Sequence, residues 1–444
     1  MDYENSPSSS ELPSYSPSSP SPSYTCQLGS GERLLEHTPQ SHSSQNPTSL
    51  FIKKAGRSTV ILNGQEDGAT MPAYGRQAII SGNLLLEQSE SIIEVVLKVK
   101  AKLDTTISEA GGTSIRLVDD SYTLWSQSLS SSTGQKTTCP DQVHFSARLP
   151  ITFQHSGKTY PLPPSYSASY FAIPSLIVRS SYTLHFIITR IRHRKLDLWP
   201  KTKQILIPFS YCPKTRANRP IIPSPCFFSS VKTSPEEWHQ AISPLKTRPN
   251  AKMDPLYCHL FVPAGRIYGL ADTIPFHVQL SGNICALQDL CCGAELGRVM
   301  SVDSDTTVVS NSSKRAQTSP PLLRVSLLRQ VSVSMRSVNS WKNTAMGQAT
   351  LWPIPPDLGS CCSSTAQCRE GHVDWEGEVQ CNKDITVGAF EAGNVNVKDF
   401  ITLVLTPPQP YKSPWLQLQV TIPIRLVTDS FAEVTGLEVG LAQS

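Results

Sequence analysis

Residues Ser181–Arg194 read SYTLHFIITRIRHR, and Lys201–Arg216 read KTKQILIPFSYCPKTR. Tyr182, Leu184, Phe186 and Ile188 alternate with mostly polar neighbours, and Ile205, Ile207, Phe209 and Tyr211 repeat the pattern on the return. A period of two puts successive side chains on opposite faces of an extended chain. The pair is therefore expected to form an antiparallel ribbon with one buried face, joined by a charged turn.

Outward from the ribbon the same period recurs. Ile93, Val95, Leu97, Val99, Ala101 and Leu103 alternate with Glu94, Lys98, Lys100 and Lys102, giving one packed and one wetted face, as in an antiparallel sandwich sheet. Strands are also expected over Ala78–Leu86, Tyr122–Ser126 and Val143–Leu149. A second set follows after residue 255. Ile274, Phe276, Val278 and Leu280 form one apolar row, and the even positions from Leu416 to Leu426 form another. Residues 323–335 and Val395–Leu405 supply at least two more strands. Pro275 and Pro423 should sit at edges or bulges, since proline cannot donate to a ladder.

The 444 residues, with 36 prolines and abundant serine, suit loop-rich β structure in two folded units rather than a helical bundle. Residues 1–50 are Ser/Pro-rich and almost free of aliphatic side chains, so a disordered tail is expected there. A first β-sandwich is placed at 51–222, a Pro-rich linker at 223–255, a second β-sandwich at 256–430 and a short tail at 431–444. Within the linker, Ser234 as N-cap, Pro235 at the first helical position and Glu237 three residues after the cap predict a short helix. Trp238 and Ile242 would form its apolar side. The polar stretch from Ser301 to Pro320 reads as a long surface loop.

A net charge of +4 over this length gives no extended nucleic-acid footprint. The opening residues lack the basic and apolar regions of a signal peptide, and no run of about 18 apolar residues occurs. The twelve cysteines are accordingly read as reduced thiols in a cytoplasmic protein. The alternative is a secreted adhesive sandwich stapled by disulfides, which requires oxidised cysteines. Cys361, Cys362, Cys368 and His372 lack the second ligand pair of a zinc site, and Cys291-Cys292 reads the same way, so no metal or other cofactor is expected. No Gly-rich phosphate loop, no G-x-S-x-G and no placed carboxylate pair marks an enzyme.

Several longer runs together carry a resemblance. They are the opening Gly82–Lys100, Ser121–Ser128 (SYTLWSQS), Tyr160–Tyr166 (YPLPPSY) and the ribbon's ending FSYCPKTR. In the second half they are Leu260–Gly282, Val373–Val379 (VDWEGEV), Val397–Pro408 and Ile422–Ser430. Over about residues 55–430 the chain resembles the arrestin-like proteins of filamentous and mushroom-forming fungi, the α-arrestin branch. The resemblance implies two tandem immunoglobulin-like sandwiches of the arrestin fold and a non-catalytic adaptor. Such an adaptor recognises the cytosolic tails of membrane transporters or receptors at the plasma membrane or endosomes. It recruits a HECT-type ubiquitin ligase whose WW domains grip P-P-x-Y or L-P-x-Y motifs for endocytosis and sorting.

For that docking, Leu12, Pro13 and Tyr15 match the L-P-x-Y form in the tail. Pro163, Pro164 and Tyr166 match P-P-x-Y inside the first sandwich, where the prolines could instead shape a loop and the tyrosine pack. The densest basic patch is Arg190, Arg192, Arg194 and Lys195, with Lys201 and Lys203 across the turn. It reads either as a contact for anionic cargo or lipid headgroups or as a solvated hairpin tip whose charge discourages edge pairing. A trafficking or signalling scaffold that binds no ligase remains the alternative to the adaptor.

Overall fold

The computed structural model describes residues 32–34, 49–127, 138–194, 197–222, 226–291, 321–354 and 370–432. The Leu12–Tyr15 motif, Lys195, the Ser301–Pro320 stretch and Cys292, Cys361, Cys362 and Cys368 lie outside the described residues.

The first half is built from β1 (Glu32–Leu34), β2 (Ser49–Ala55), β3 (Ser58–Gln65), β4 (Ala73–Tyr74), β5 (Ile79–Leu86), β6 (Ile92–Ile107) and β7 (Gly111–Ser126). It continues with β8 (Gln142–Arg148), β9 (Thr152–His155), β10 (Lys158–Pro161), β11 (Tyr166–Tyr170), β12 (Leu176–Arg194), β13 (Asp197–Tyr211) and β14 (Thr215–Ala217). One sheet runs β4-β13-β12-β6-β7, with β11 also on β12, and faces a second sheet, β2-β3-β5-β8. The ribbon is β12 and β13, paired antiparallel from Tyr182↔Phe209 out to Arg194↔Asp197. All eight of its alternating apolar residues are buried, and Phe186 meets Phe145 of the facing sheet edge-on at 5.0 Å between ring centres. Each such side chain contributes about 1.5–3 kcal/mol when taken out of water, so this double row anchors the first core.

The second half contains α1 (Phe227–Thr233), β15 (Trp238–Pro244), β16 (Leu256–Pro263), β17 (Ile267–Gly269), β18 (Thr273–Asn283), α2 (Ile284–Cys291) and β19 (Leu323–Met335). It ends with β20 (Val338–Gln348), β21 (Thr350–Ile354), β22 (Glu370–Gln380), β23 (Phe390–Ala392), β24 (Val395–Leu405) and β25 (Leu418–Val427). The sheets are β15-β16-β18-β22-β21 and β17-β25-β24-β19-β20, with β23 also on β24. The fold is thus all-β, two layered pairs of mainly antiparallel sheets. Pro275 pairs with β22 alone, because the β16 ladder stops at His277, and Pro423 pairs with β24 alone. Neither proline interrupts a two-sided ladder.

Within the N-terminal segment, Glu32–Leu34 forms a strand paired antiparallel with Thr215–Ala217. One expectation is corrected. The helix predicted from Ser234 is a single 3-10 turn at Pro235–Glu237 with no side-chain cap, and Trp238 and Ile242 lie on strand β15 instead. The ladder explains the difference: Trp238↔Pro263 to Pro244↔Tyr257 pairs every residue of β15, which outweighs one capped turn. The helix that does form, α1, is only seven residues long and is held by Phe227. That ring stacks on the buried His277 at 3.7 Å and meets Trp238 and Phe261 edge-on.

The two cores adjoin along β19 and β24. Val325 and Leu327 pack into the second core, whereas Val331, Val333 and Met335 of the same strand pack into the first. On β24, Ile401, Leu403 and Leu405 belong to the second core, and Val395 and Val397 to the first. At the border, Arg329 and Asp399 stand opposite each other in register. Arg329 Nε and Nη2 donate to the two carboxylate oxygens at 2.8 and 3.0 Å, with side chains 5 % and 0 % exposed. Burial pushes the Asp399 carboxyl above its usual range against the pull of Arg329. Burial also disfavours the Arg329 guanidinium, but Asp399 more than compensates.

Candidate functional site: a cationic clasp at the base of the ribbon

The ribbon's alternation does not stop at its last apolar residues. Arg190 follows Ile188 on the core-facing row of β12, and Lys203 precedes Ile205 on that of β13, so both cations point toward the facing sheet. A register shift between Thr189 and Arg190 ends the regular pairing with β6 at this level. There, Arg190 donates from Nη1 to Gln88 O at 3.2 Å and from Nη2 to Glu87 O at 3.0 Å. Lys203 Nζ donates to Ala55 O at the end of β2. The two side chains close the open end of the sandwich, joining the ribbon to the opposite sheet.

The acceptors are themselves fixed. Gln88 sits in the left-handed region at φ 55°, and its side-chain oxygen accepts from Arg57. Ser89 is buried and donates to Asp141 Oδ1 at 2.6 Å, while Leu86 N–H donates to Asp141 O at 2.7 Å. Gly56 turns the chain at φ +55°, with the Lys203 ammonium 3.2 Å from where a Cβ would stand.

Electrostatically the clasp sets burial and cation–cation repulsion against the Glu87 carboxylate. Partial burial lowers the guanidinium of Arg190 from its ordinary value and neighbouring Arg57 lowers it further, with Cys139 and Glu87 opposing. The Lys203 ammonium is likewise lowered, first by burial and then by Arg190. Three cations therefore gather at this end of the sandwich, with the Glu87 carboxylate beside Arg190 and Lys203.

Of the residues singled out from sequence, Arg190 and Lys203 meet in this clasp. Lys201 is exposed, paired across the ribbon with Arg190. Arg192 and Arg194 lie on β12 beyond the sandwich, and their side chains are outside what is described. Arg57, which no sequence pattern flagged, joins them because the β2–β3 turn brings it there.

Pro163, Pro164 and Tyr166 lie elsewhere, at the seam between the halves. Both prolines are buried; Pro163 O accepts from Tyr182 Oη at 2.5 Å. Ser165 is held twice, its N–H on Tyr211 O and its Oγ accepting from Tyr211 N–H, both at 2.8 Å. Tyr166 pairs with Ser180 and meets Phe390 of the second half edge-on at 5.2 Å, and burial raises its phenol. A WW domain needs these rings free in an extended segment, and here all three serve the fold.

Among the described residues no group of His, Cys, Asp and Glu is arranged to hold a metal ion, and no helix is long and apolar enough to cross a membrane. Cys139 and Cys258 are buried free thiols, pushed by burial to about 11 and about 12. Scanned against known protein families the chain matches none, and no curated protein matches it.

Proposed function

We propose that the chain is a non-catalytic adaptor of the arrestin-like type, cytoplasmic and peripheral at the plasma membrane or endosomes. It would link the cytosolic tails of transporters or receptors to a HECT-type ubiquitin ligase. Two β-sandwiches joined along a shared seam support this reading, together with the motif runs between about residues 55 and 430 that resemble α-arrestins. The ligase would dock on Leu12, Pro13 and Tyr15, and anionic groups of cargo or lipid would be received by Arg190, Lys203 and Lys201 with Arg192, Arg194 and Lys195. The observation that carries the anion-receiving part is the convergence of Arg57, Arg190 and Lys203.

One observation favours a scaffold without a ligase: the P-P-x-Y match at Pro163–Tyr166 is committed to packing. A binding assay with a ligase WW-domain array on the full chain, Tyr15→Ala and Tyr166→Ala separates the readings. The adaptor requires that Tyr15→Ala abolish binding. Tyr166→Ala should leave binding intact but cost about 2–4 kcal/mol of stability, as truncation of a packed aromatic does. No binding by the intact chain would leave the ligase-free scaffold.

A further inference from the structure

Two connections of the second half are bonded to each other: residues 245–255, between β15 and β16, and residues 406–417, between β24 and β25. Arg248 N–H donates to Pro414 O at 2.9 Å and Leu416 N–H to Lys246 O at 2.8 Å. Thr247 bridges Trp415, whose buried ring roots the second connection in the core. The Arg248 guanidinium adds bonds from Nε to Ser413 O at 3.0 Å and from Nη2 to Pro410 O at 2.9 Å and Tyr411 O at 3.4 Å. Within the turn, the N–H groups of Lys412 and Ser413 both donate to Gln409 O, at 2.8 and 3.0 Å.

This fixed backbone presents an unusual side chain. Gln409, Pro410, Tyr411 and Lys412 are exposed in succession, and Tyr411, at 95 %, is the most exposed large hydrophobic side chain among the described residues. Gln409 sits in the left-handed region at φ 49°, which breaks the polyproline II path that a WW groove requires, so the turn is not a ligase motif. Around the ring, Lys246, Arg248, Lys252 and Lys412 are exposed. The two connections together hold a single carboxylate, Asp254, which accepts from Asn283 Nδ2 at 2.7 Å. The bonds of Arg248 go to carbonyl oxygens, which carry no net charge to offset its own.

We infer that this turn is the docking point for an acidic peptide segment of a partner protein. Its carboxylates would lie against Lys246, Lys252 and Lys412, and an apolar side chain would pack on the Tyr411 ring. A ring carried on a backbone already bonded from both sides loses little conformational freedom on contact, which favours a protein interface. A lipid surface requires no such fixing. The surface is independent of ligase docking in the tail and of the cations of the ribbon.

Fluorescence anisotropy of the full chain with labelled octaglutamate, and with the same peptide carrying one central tryptophan, tests this. Both should bind, the tryptophan peptide about fivefold more tightly, the scale of one aromatic pair. Tyr411→Ser should remove that difference, and Tyr411→Phe should keep it. Lys246→Gln and Lys412→Gln should each weaken both peptides by about threefold, the scale of an exposed ion pair, and added salt should weaken them further. Lys158→Gln, on β10, should change neither. The substituted side chains are exposed, and thermal midpoints check that the variants fold. Equal binding of the two peptides, indifference to Lys246→Gln and Lys412→Gln, or loss confined to Lys201→Gln on the ribbon would each overturn the assignment. So would retention by phosphatidylserine vesicles that Tyr411→Ser abolishes while peptide binding persists, which would give the turn to lipid.

Discussion

At the scale of single residues, inward-facing cations change meaning with depth along a strand. Arg190 and Lys203 occupy positions that a longer apolar row would have filled, and they convert the end of the core into a hydrogen-bonded closure. Replacing Arg190 by Gln removes the donors to Glu87 O and Gln88 O and relieves repulsion from Arg57. These effects oppose each other, so the expected loss is modest, about 1 kcal/mol in a urea unfolding curve, with unchanged slope. Arg190 was legible from sequence as a member of a basic cluster. That it faces inward follows from the same alternation that identified the ribbon, carried two residues further. Arg57 was not legible, because only the three-dimensional turn between β2 and β3 brings it beside Gln88.

Among elements, those with a strict period of two were legible: the ribbon, β6, β18 and β25 bury the rows that their patterns indicate. The exceptions have local causes. In β6 the buried residue at the start is Ile92 rather than Ile93, because the ladder with β12 skips Ile93: Thr189 pairs with Glu94 and Arg190 with Ile92. Leu416 lies outside β25 and is 36 % exposed, so that row begins two residues later than its apolar pattern does. Helix α1 has no periodic signal in seven residues and exists through Phe227 on the outer face of the β16–β18–β22 sheet.

The outer face of that sheet carries a titrating pair of contacts. His259 Nδ1 lies 2.8 Å from Gln240 Nε2 and Nε2 lies 2.9 Å from Ser281 Oγ. An amide nitrogen can only donate, so Nδ1 accepts and the ring is neutral. Burial lowers the His259 pKa below 6.5, with Asp374 opposing, and His239 is lowered for the same first reason and then by Arg266. The folded state then binds fewer protons than the unfolded one just below pH 6.5, so stability falls as pH drops through that value. The expected observation is a thermal midpoint that declines from pH 7 toward pH 5, with a shallower decline in His259→Gln.

For the whole molecule, the decisive rows are those of β19 and β24. Each reads as apolar alternation broken by one charge: Arg329 between Leu327 and Val331, and Asp399 between Val397 and Ile401. Those two interruptions were in view in the sequence, but nothing local says that they face each other or that the rows on either side belong to different cores. Only the register does. Arg329→Met should therefore cost about 3–5 kcal/mol, since it strands Asp399 as a buried charge, whereas the double variant with Asp399→Leu should recover most of that loss. Paired unfolding measurements on the two variants check it.

The strands shared across the border also fix how the molecule carries load. Because β19 and β24 are continuous through both cores, a force drawing the halves apart along those strands acts lengthwise on their ladder. It must shear many cross-strand hydrogen bonds together rather than unzip them one at a time. Pulled in that direction, the two halves would stretch together as a single stiff beam.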